Sequence, residues 1–169
     1  MRLLRAIANI LRPNRKAPPQ PEQRAETGVE PGRSGATATV EVDPRRIGSV
    51  RTAYTPRTDG NADPGEIVWT WVPYQERDGR GKDRPVLVVA AEPGGTVLAV
   101  QLTSQEHPGR TDYLPIGAGS WDGRHRPSYA NIARVFRVHQ AGMRREAASL
   151  DSRRYAPVRA ALVSRYGWR

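Results

Sequence analysis

The sequence predicts a mainly β domain, either a small barrel or a strongly curved sheet, that ends in a single helix. Five short segments rich in β-branched and aromatic residues follow one another closely over roughly 105 residues. Turns rich in Gly, Pro and Asp separate these segments. A stretch in which apolar residues recur at helical spacing then closes the chain.

The five predicted strands are Glu66–Val72, Pro85–Ala91, Thr96–Thr103, Asp112–Ile116 and Ala130–His139. The first, EIVWTWV, consists almost entirely of β-branched and aromatic residues, which favour extended structure. The turn EPGG joins the second and third segments and predicts a hairpin, so these two strands should pair side by side. Pro115 removes a backbone donor from the fourth segment and therefore indicates an edge strand.

The C-terminal stretch LDSRRYAPVRAALVSRYGW predicts the helix. Asp151 is a suitable N-cap, because its carboxylate can accept hydrogen bonds from the free N–H groups of the first turn. One face of this helix carries Tyr155, Val158, Leu162 and Tyr166. Pro157 has no N–H to donate, so the helix is expected either to begin close to Tyr155 or to kink at Pro157.

Residues 1–52 predict a basic, Pro-rich and largely disordered tail, and residues 53–169 predict the folded domain. The stretch APPQPEQRAETGVEPGRSG contains few apolar residues and cannot bury enough surface to offset the loss of chain entropy. Residues 2–12 have the spacing of a short basic amphipathic helix, or alternatively form a frayed end. The segment ATATVEV is compatible with a short, isolated strand.

The composition indicates a polyanionic partner. The 169 residues include 27 Lys and Arg against 17 Asp and Glu, a formal charge of +10. Only Lys16 and Lys82 are lysines, so nearly all cations are guanidinium groups, which match phosphate oxygens in pairs, although a GC-rich genome would also favour Arg. The absence of cysteine excludes disulfides, thiolate metal sites and a cysteine nucleophile. No apolar run approaches the roughly 18–20 residues of a membrane helix, and we expect a cytoplasmic protein.

The predicted hairpin places Arg84 and Thr103 at the same end of the sheet, because one precedes the second strand and the other ends the third. Pro85 biases Arg84 toward an extended backbone. An arginine beside hydroxyl groups suits a phosphate whose charge grows during reaction. Such a site can cleave RNA without a metal, by attack of a ribose 2′-OH on the adjacent phosphorus. Alternatively, Arg84 forms an ordinary turn ion pair with Asp83 or Glu76.

Further polar residues are candidates for RNA contacts: Lys82, His107, Arg110, Arg134 and Arg137. Basic side chains can line a groove and neutralise phosphates, although such charges also commonly form a solvated face. His107 is either a general acid or base or a solvated loop residue. Trp69 and Trp71 share one face of the first strand, which suits base stacking, a core or a dimer surface. The three His are scattered and Cys is absent, so we predict no metal site and no cofactor.

Four segments together resemble the PemK/MazF family of toxin–antitoxin ribonucleases: PGEIVWTWVPY, GKDRPVLVVA, AVQLTSQEH and SYANIARVFRV. Family members have a Gly-acid-apolar-Trp strand, an Arg-Pro before an apolar strand, and a Thr or Ser at the end of the next strand, in this order. The resemblance covers about Asp63 to Arg169. It implies an SH3-like barrel that forms a two-fold homodimer, with single-stranded RNA bound in a groove near the interface. It also implies a small cognate antitoxin whose tail blocks that groove.

The resemblance assigns the family's essential Arg to Arg84 and its hydroxyl residue to Thr103, with Ser104 as a second hydroxyl. The glutamate that family members commonly carry before Arg-Pro has no direct counterpart, and the nearest acids are Glu76, Asp78 and Asp83. The implied function is that of a metal-independent endoribonuclease. The alternative is a non-catalytic interaction module on the same barrel. Such a module would be a nucleic-acid-binding protein, or a toxin that poisons gyrase through a free aromatic C-terminus at Trp168.

Overall fold

Seven antiparallel strands and one α-helix form the part of the chain that the computed structural model describes, residues 30–169. The elements are β1 (Val40–Val42), β2 (Glu66–Pro73), β3 (Gly81–Ala91), β4 (Thr96–Thr103), β5 (Tyr113–Gly117), β6 (Ser128–His139), β7 (Arg144–Ser149) and α1 (Ser152–Tyr166). The strands lie in one sheet in the order β1-β6-β4-β3-β2-β7, and β5 also pairs with β6. The predicted mainly β class with a C-terminal helix is confirmed. The sheet of these residues stays open between β1 and β7, however, and is not a closed barrel.

All five predicted strands are present, with shifts at their ends. β3 begins at Gly81 rather than at Pro85, because the charged residues before the apolar run pair with Thr70–Val72 of β2. β6 begins at Ser128, where it pairs with β5. β5 pairs with β6 alone, as expected for an edge strand that contains Pro115. Arg84 therefore belongs to a strand and not to a solvated turn.

Two further strands lie at the ends of the sheet. β1 pairs with Val135–Arg137 of β6, and β7 pairs with Glu66–Trp69 of β2. β7 was not predicted, because its sequence RREAAS is exposed at all but one position and so lacks the apolar alternation of a core strand. A register shift interrupts its pairing with β2, next to Ala147 at φ 51°.

Apolar side chains are buried on both faces of the sheet. The layer between the sheet and α1 includes Leu87, Val100, Tyr155 and Leu162. The second layer lies on the other face, where alternate residues of the same strands, such as Val86 and Phe136, pack together. Because both faces carry a core, the two ends of the sheet are where polar side chains can gather.

The helix begins with the expected cap. The Asp151 carboxylate accepts hydrogen bonds from the backbone N–H groups of Arg153 and Arg154, at 3.1 and 3.0 Å. The helix begins at Ser152, so of the two alternatives the start close to Tyr155 is wrong, and Pro157 lies inside the helix, in its second turn. Proline there removes one intrahelical hydrogen bond. Among residues 30–169, no helix is long and apolar enough to cross a membrane.

Residues 30–52 are packed against the sheet, which corrects the expectation of disorder up to residue 52. The Pro31 carbonyl accepts a hydrogen bond from the Trp71 N–H at 3.0 Å, two residues beyond Trp69, which pairs with the first residue of β7. The hydroxyls of Thr39 and Thr70 are 2.6 Å apart, and Val50 is buried in the core under α1. A sequence poor in apolar residues is ordered here because its polar groups find partners on the sheet. The possible helix over residues 2–12 and the tail up to residue 29 lie outside the described residues.

We predict that a chain of residues 53–169 unfolds at a lower temperature than a chain of residues 30–169. The shorter chain loses Val50 from the core and leaves the Trp71 N–H and Arg134 without their Pro31 and Glu41 partners. Each buried polar group that loses its partner costs about 1–3 kcal/mol. Thermal denaturation followed by circular dichroism measures the difference, with the full chain as reference. Equal midpoints for the two truncated chains would contradict the structural role of residues 30–52.

Candidate functional site

The strand pairing brings Arg84 and Thr103 together at one end of the sheet. Val86 of β3 pairs with Gln101 of β4, so two residues further toward the rim Arg84 lies beside Thr103. Both line a cavity of about 200 Å³, which we call the rim cavity. Lys82 and Ser104 also lie in its wall. Four of the residues expected at the site are therefore neighbours around one cavity.

The guanidinium of Arg84 has no ion pair among residues 30–169: Asp83 and Asp78 pair with other arginines, and Glu76 pairs with none of these residues. Asp83 forms an ion pair with Arg144 of β7, with 2.9 Å between Oδ2 and Nη2. Asp78 forms an ion pair with Arg80 at 2.7 Å. The alternative in which Arg84 is a turn arginine neutralised by Asp83 or Glu76 is therefore wrong in this structure. A cation without a counter-ion is left facing the rim cavity.

The hydroxyl group of Thr103 is free to donate a hydrogen bond to a ligand. Its Oγ1 accepts a hydrogen bond from the backbone N–H of Gln105 at 3.1 Å. A hydroxyl that accepts one bond still has its own O–H to donate. Ser104 is exposed beside it and offers a second hydroxyl.

Two buried polar atoms in residues that line the rim cavity have no hydrogen-bond partner. They are the indole Nε1 of Trp69 and the Oδ1 of Asp83. Buried polar groups are nearly always paired, so an unpaired donor and an unpaired acceptor beside one cavity indicate places for groups of a bound molecule. Trp121, also in the wall, is by contrast satisfied, because its Nε1 donates to the Ser128 hydroxyl at 3.1 Å.

A second cavity, of about 370 Å³, adjoins the first, and Arg84 lines both. We call it the side cavity. Its other lining residues come from the β2–β3 turn and from the middle of the sheet: Pro73, Tyr74, Gln75, Glu76, Arg80, Gln101 and Arg134. Arg84 thus separates two recesses at the end of the sheet, which suits a chain-like ligand that passes over it.

Arg134, a predicted RNA contact, lines the side cavity, but its guanidinium is already hydrogen-bonded within the protein. Its Nη2 and Nε donate to the two oxygens of Glu41 at 2.8 and 3.1 Å. Nη2 also donates to the Pro73 carbonyl at 2.9 Å. The arginine therefore reaches the cavity wall with its charge already compensated by a residue of β1.

Arg137 is placed away from the site. It pairs with Leu98 of β4, which pairs with Ala90 of β3. Ala90 follows Arg84 along β3 at a distance of about 20 Å for an extended strand. The Arg137 guanidinium binds both oxygens of Glu92 at 2.6 Å, and this ion pair lowers the pKa of Glu92. The structure does not bring Arg137 together with the other candidates.

His107 and Arg110 flank Tyr113 at the start of β5. The His107 ring stacks on the Tyr113 ring at a centroid distance of 3.8 Å. Arg110 forms two hydrogen bonds to Asp112, at 2.6 and 2.8 Å. Neither side chain lines the rim cavity or the side cavity. No group of three or more His, Cys, Asp or Glu side chains within residues 30–169 has the arrangement of a metal site.

Three residues around the cavities were not among the candidates predicted from sequence. Gln101 had a signal that was overlooked, because it lies two residues before Thr103 and therefore on the same face of β4. No local sequence pattern points to Glu41 or Arg144, because each forms an ion pair with a residue of a strand that is distant in sequence. These ion pairs can form only once the sheet has brought the strands together.

We predict that Arg110→Ala destabilises the protein near neutral pH and that this effect shrinks in acid. The hydrogen bonds from Arg110 hold the pKa of Asp112 below its ordinary value of 3.8. A lowered folded pKa gives stability that is present above 3.8 and is lost as the pH falls through the folded pKa. Chemical denaturation of wild type and variant at a series of pH values measures this difference. Arg153→Ala, which removes an exposed arginine of α1 that has no ion pair among residues 30–169, is the matched control. A difference between wild type and Arg110→Ala that stays constant down to strong acid would contradict the assignment.

Comparison with known proteins identifies the family. The model of a family described as "PemK-like, MazF-like toxin of type II toxin-antitoxin system" matches residues 63–164. Two crystal structures of MazE-MazF from Deinococcus radiodurans, Form-II and Form-III, are 20% and 19% identical to this chain. They cover 63% and 64% of this chain and 96% and 98% of their own, each with a TM-score of 0.47. A comparison with curated proteins gave no match. The family match extends over more than half of the chain, from the residues before β2 into the last turns of α1, and this chain therefore belongs to the PemK-like, MazF-like toxins of type II toxin–antitoxin systems.

Proposed function

We propose that this protein is a toxin that cleaves single-stranded RNA by attack of a ribose 2′-OH on the adjacent phosphate, without a metal ion. The observation that carries the proposal is the unpaired guanidinium of Arg84 beside the free hydroxyl proton of Thr103 in one cavity. Membership of the family supports the class of activity, because its members are generally endoribonucleases. The high content of Arg supports an RNA substrate.

In the proposed step, the 2′-oxygen forms a bond to phosphorus and the bond from phosphorus to the 5′-oxygen of the next nucleotide breaks. The products are a 2′,3′-cyclic phosphate and a 5′-hydroxyl. Negative charge grows on the non-bridging oxygens while both bonds are partly formed. Arg84 binds these oxygens with its planar fork, and Thr103 and Ser104 donate further hydrogen bonds.

The step also moves a proton from the attacking hydroxyl to the leaving oxygen. The Oδ1 of Asp83 is a buried carboxylate oxygen without a hydrogen-bond partner in the described chain, and we assign Asp83 to take the proton of the 2′-OH and to release it to solvent after the reaction. The Arg144 ion pair holds the other oxygen of this carboxylate and so fixes its orientation. The leaving 5′-oxygen takes its proton from solvent at the open side of the cavity. Lys82, in the same wall, contributes positive charge toward the RNA backbone.

The alternative of a toxin that acts through a free C-terminus is disfavoured by the position of Trp168. This side chain is 3% exposed, and its Nε1 donates to the Pro44 carbonyl at 3.2 Å. The backbone N–H of Arg169 donates to the Val50 carbonyl at 2.9 Å. The aromatic end of the chain is therefore part of the core and is not presented to a partner.

The proposal includes two protein partners, a second copy of this chain and a small cognate antitoxin. The family description supports the antitoxin, since these toxins belong to two-component systems. The proposed binding place of an antitoxin is the groove around Arg84, where an acidic segment would meet an unpaired cation.

We predict that sedimentation at micromolar concentration gives twice the mass of one chain. Sedimentation as a single chain over this range would contradict the homodimer.

We predict that wild-type protein cleaves single-stranded RNA in excess EDTA and that Arg84→Ala and Thr103→Ala lose most of this activity. Removing one donor to a growing oxyanion typically lowers the rate by about 10²–10³-fold. Arg84→Lys should also be damaging, because lysine keeps the charge but not the planar fork. Single-turnover cleavage of a labelled oligonucleotide measures the rates, and the product ends show whether a cyclic phosphate forms.

The matched control for these variants is Arg153→Ala, which removes one positive charge from a residue that lines neither cavity. It should cleave at the wild-type rate. Loss of cutting in EDTA, or wild-type rates for both Arg84→Ala and Thr103→Ala, would contradict the mechanism. If wild-type protein binds RNA and cuts none, the chain is a nucleic-acid-binding module without catalysis.

A further inference from the structure

The pair of Glu41 and Arg134 connects the N-terminal segment to the candidate site. Glu41 lies in β1, upstream of the region that matches the family, and Arg134 lies in β6 and lines the side cavity. Both side chains are mostly buried, at 19% and 12% exposure. A residue outside the family region therefore supplies a carboxylate at the edge of a cavity that also contains Arg84.

The orientation of the Arg134 guanidinium is determined on several sides. Besides its two bonds to Glu41, it donates to the Pro73 carbonyl at 2.9 Å and lies over the Phe136 ring at 4.9 Å. Nη1 is 3.4 Å from Oε1 of Gln101, a second residue of the side cavity. Arginine with a bidentate carboxylate partner cannot present the same N–H groups to a phosphate. In this arrangement Arg134 lines the cavity but does not bind an anion.

The balance of charge in the side cavity follows from these pairs. Arg134 is paired with Glu41 and Arg80 with Asp78, which leaves Arg84 as the cation of this cavity that has no ion pair among residues 30–169. Glu76, the acid in the same lining, also has no ion pair among these residues and disfavours a second phosphate here. Tyr74 and Gln101, in the same wall, offer a ring for stacking and an amide for hydrogen bonds. The cavity thus suits an uncharged part of the RNA, a base, next to a single phosphate on Arg84.

We propose that Glu41 is a positioning residue of the RNA-binding site, which holds Arg134 away from phosphates so that this end of the groove binds one phosphate and not two. The inference rests on the proposed function. The segment that precedes the family region then belongs to the RNA-binding site, where it limits the number of phosphates that the site binds. Without the carboxylate of Glu41, the guanidinium of Arg134 becomes available near Arg84 and competes for the RNA backbone. The exposed Arg77, whose Nη2 lies 3.9 Å from Oε2 of Glu41, is released as well, so the effect of Arg134 has to be isolated in a double variant.

The salt dependence of RNA binding tests this role, because its slope counts the phosphates that a protein neutralises. A short single-stranded 2′-O-methyl RNA, which lacks the attacking hydroxyl, serves as an uncleavable probe for the full chain. Glu41→Gln keeps the shape of the side chain and removes its charge. The expected slope of log affinity against log salt is steeper by about 0.7, the value for one more phosphate on a single strand. Between about 50 and 200 mM salt, this corresponds to a further loss of affinity of about 2.6-fold.

Three variants separate this role from a general effect of charge or stability. Glu92→Gln changes the net charge equally and releases Arg137, which has the same bidentate geometry but lies at the other end of the sheet, so its slope should equal that of wild type. Glu41→Asp keeps the negative charge and should restore a slope near that of wild type. The double variant Glu41→Gln with Arg134→Gln removes the released guanidinium and should return the slope to the wild-type value.

A steeper slope for Glu41→Gln alone, reversed in the double variant, supports the inference. Equal slopes for wild type and Glu41→Gln, or an equal increase for Glu92→Gln, would overturn it while leaving the proposed function intact. An RNA that binds to none of these proteins would overturn the proposed function and this inference together. Thermal midpoints of the variants are measured in parallel, and a change in stability without a change in slope also counts against the positioning role.

Discussion

The pairing of β3 with its two neighbours is the constraint on which the rest of the site depends. β3 is hydrogen-bonded to β2 on one side and to β4 on the other, so its register fixes three strands at once. A shift by one residue would turn every side chain of β3 to the opposite face and bury Arg84 in a core layer. The short turn Glu92–Gly95 between β3 and β4 opposes such a shift, because the turn of a hairpin fixes which residues pair. Arg84 is therefore held at the rim by the register of β3 against β4.

Charge compensation decides which of the many arginines can bind a phosphate. Several lie near the end of the sheet, but Arg80, Arg134 and Arg144 each have a carboxylate partner. The pair of Arg80 with Asp78 is exposed and adds little to stability, whereas the pair of Arg134 with Glu41 is mostly buried. Each pair removes one guanidinium from those that could bind an anion. In the described part of the chain, residues 30–169, Arg84 is the arginine of the two cavities that has no ion pair, and it lies beside the hydroxyls of Thr103 and Ser104.

The two ends of the described chain stabilise each other. The Thr52 hydroxyl donates a hydrogen bond to the carbonyl oxygen of Arg169 at 2.8 Å. Trp168 packs in the core layer that also contains Val50. The same N-terminal segment places Glu41 beside Arg134. Residues 30–52 thus contact both the C-terminus and the candidate site. A change that releases residues 30–52 is expected to act on stability and on the proposed RNA binding.

The sequence by itself determined the features that depend on local patterns. Five strands, the N-cap at Asp151 and the closeness of Arg84 to Thr103 followed from side-chain alternation, one capping residue and one tight hairpin. The tertiary structure alone decided the edges of the sheet and the partners of the charges. β7 has too few buried positions to show an alternation, and the order of residues 30–52 comes from contacts with a surface that the local sequence does not describe. Glu41 and Arg134 are 93 positions apart, and Trp168 is 124 positions from its partner Pro44. Pairs of this kind leave no local pattern, because nothing in either segment depends on the other until the sheet has formed.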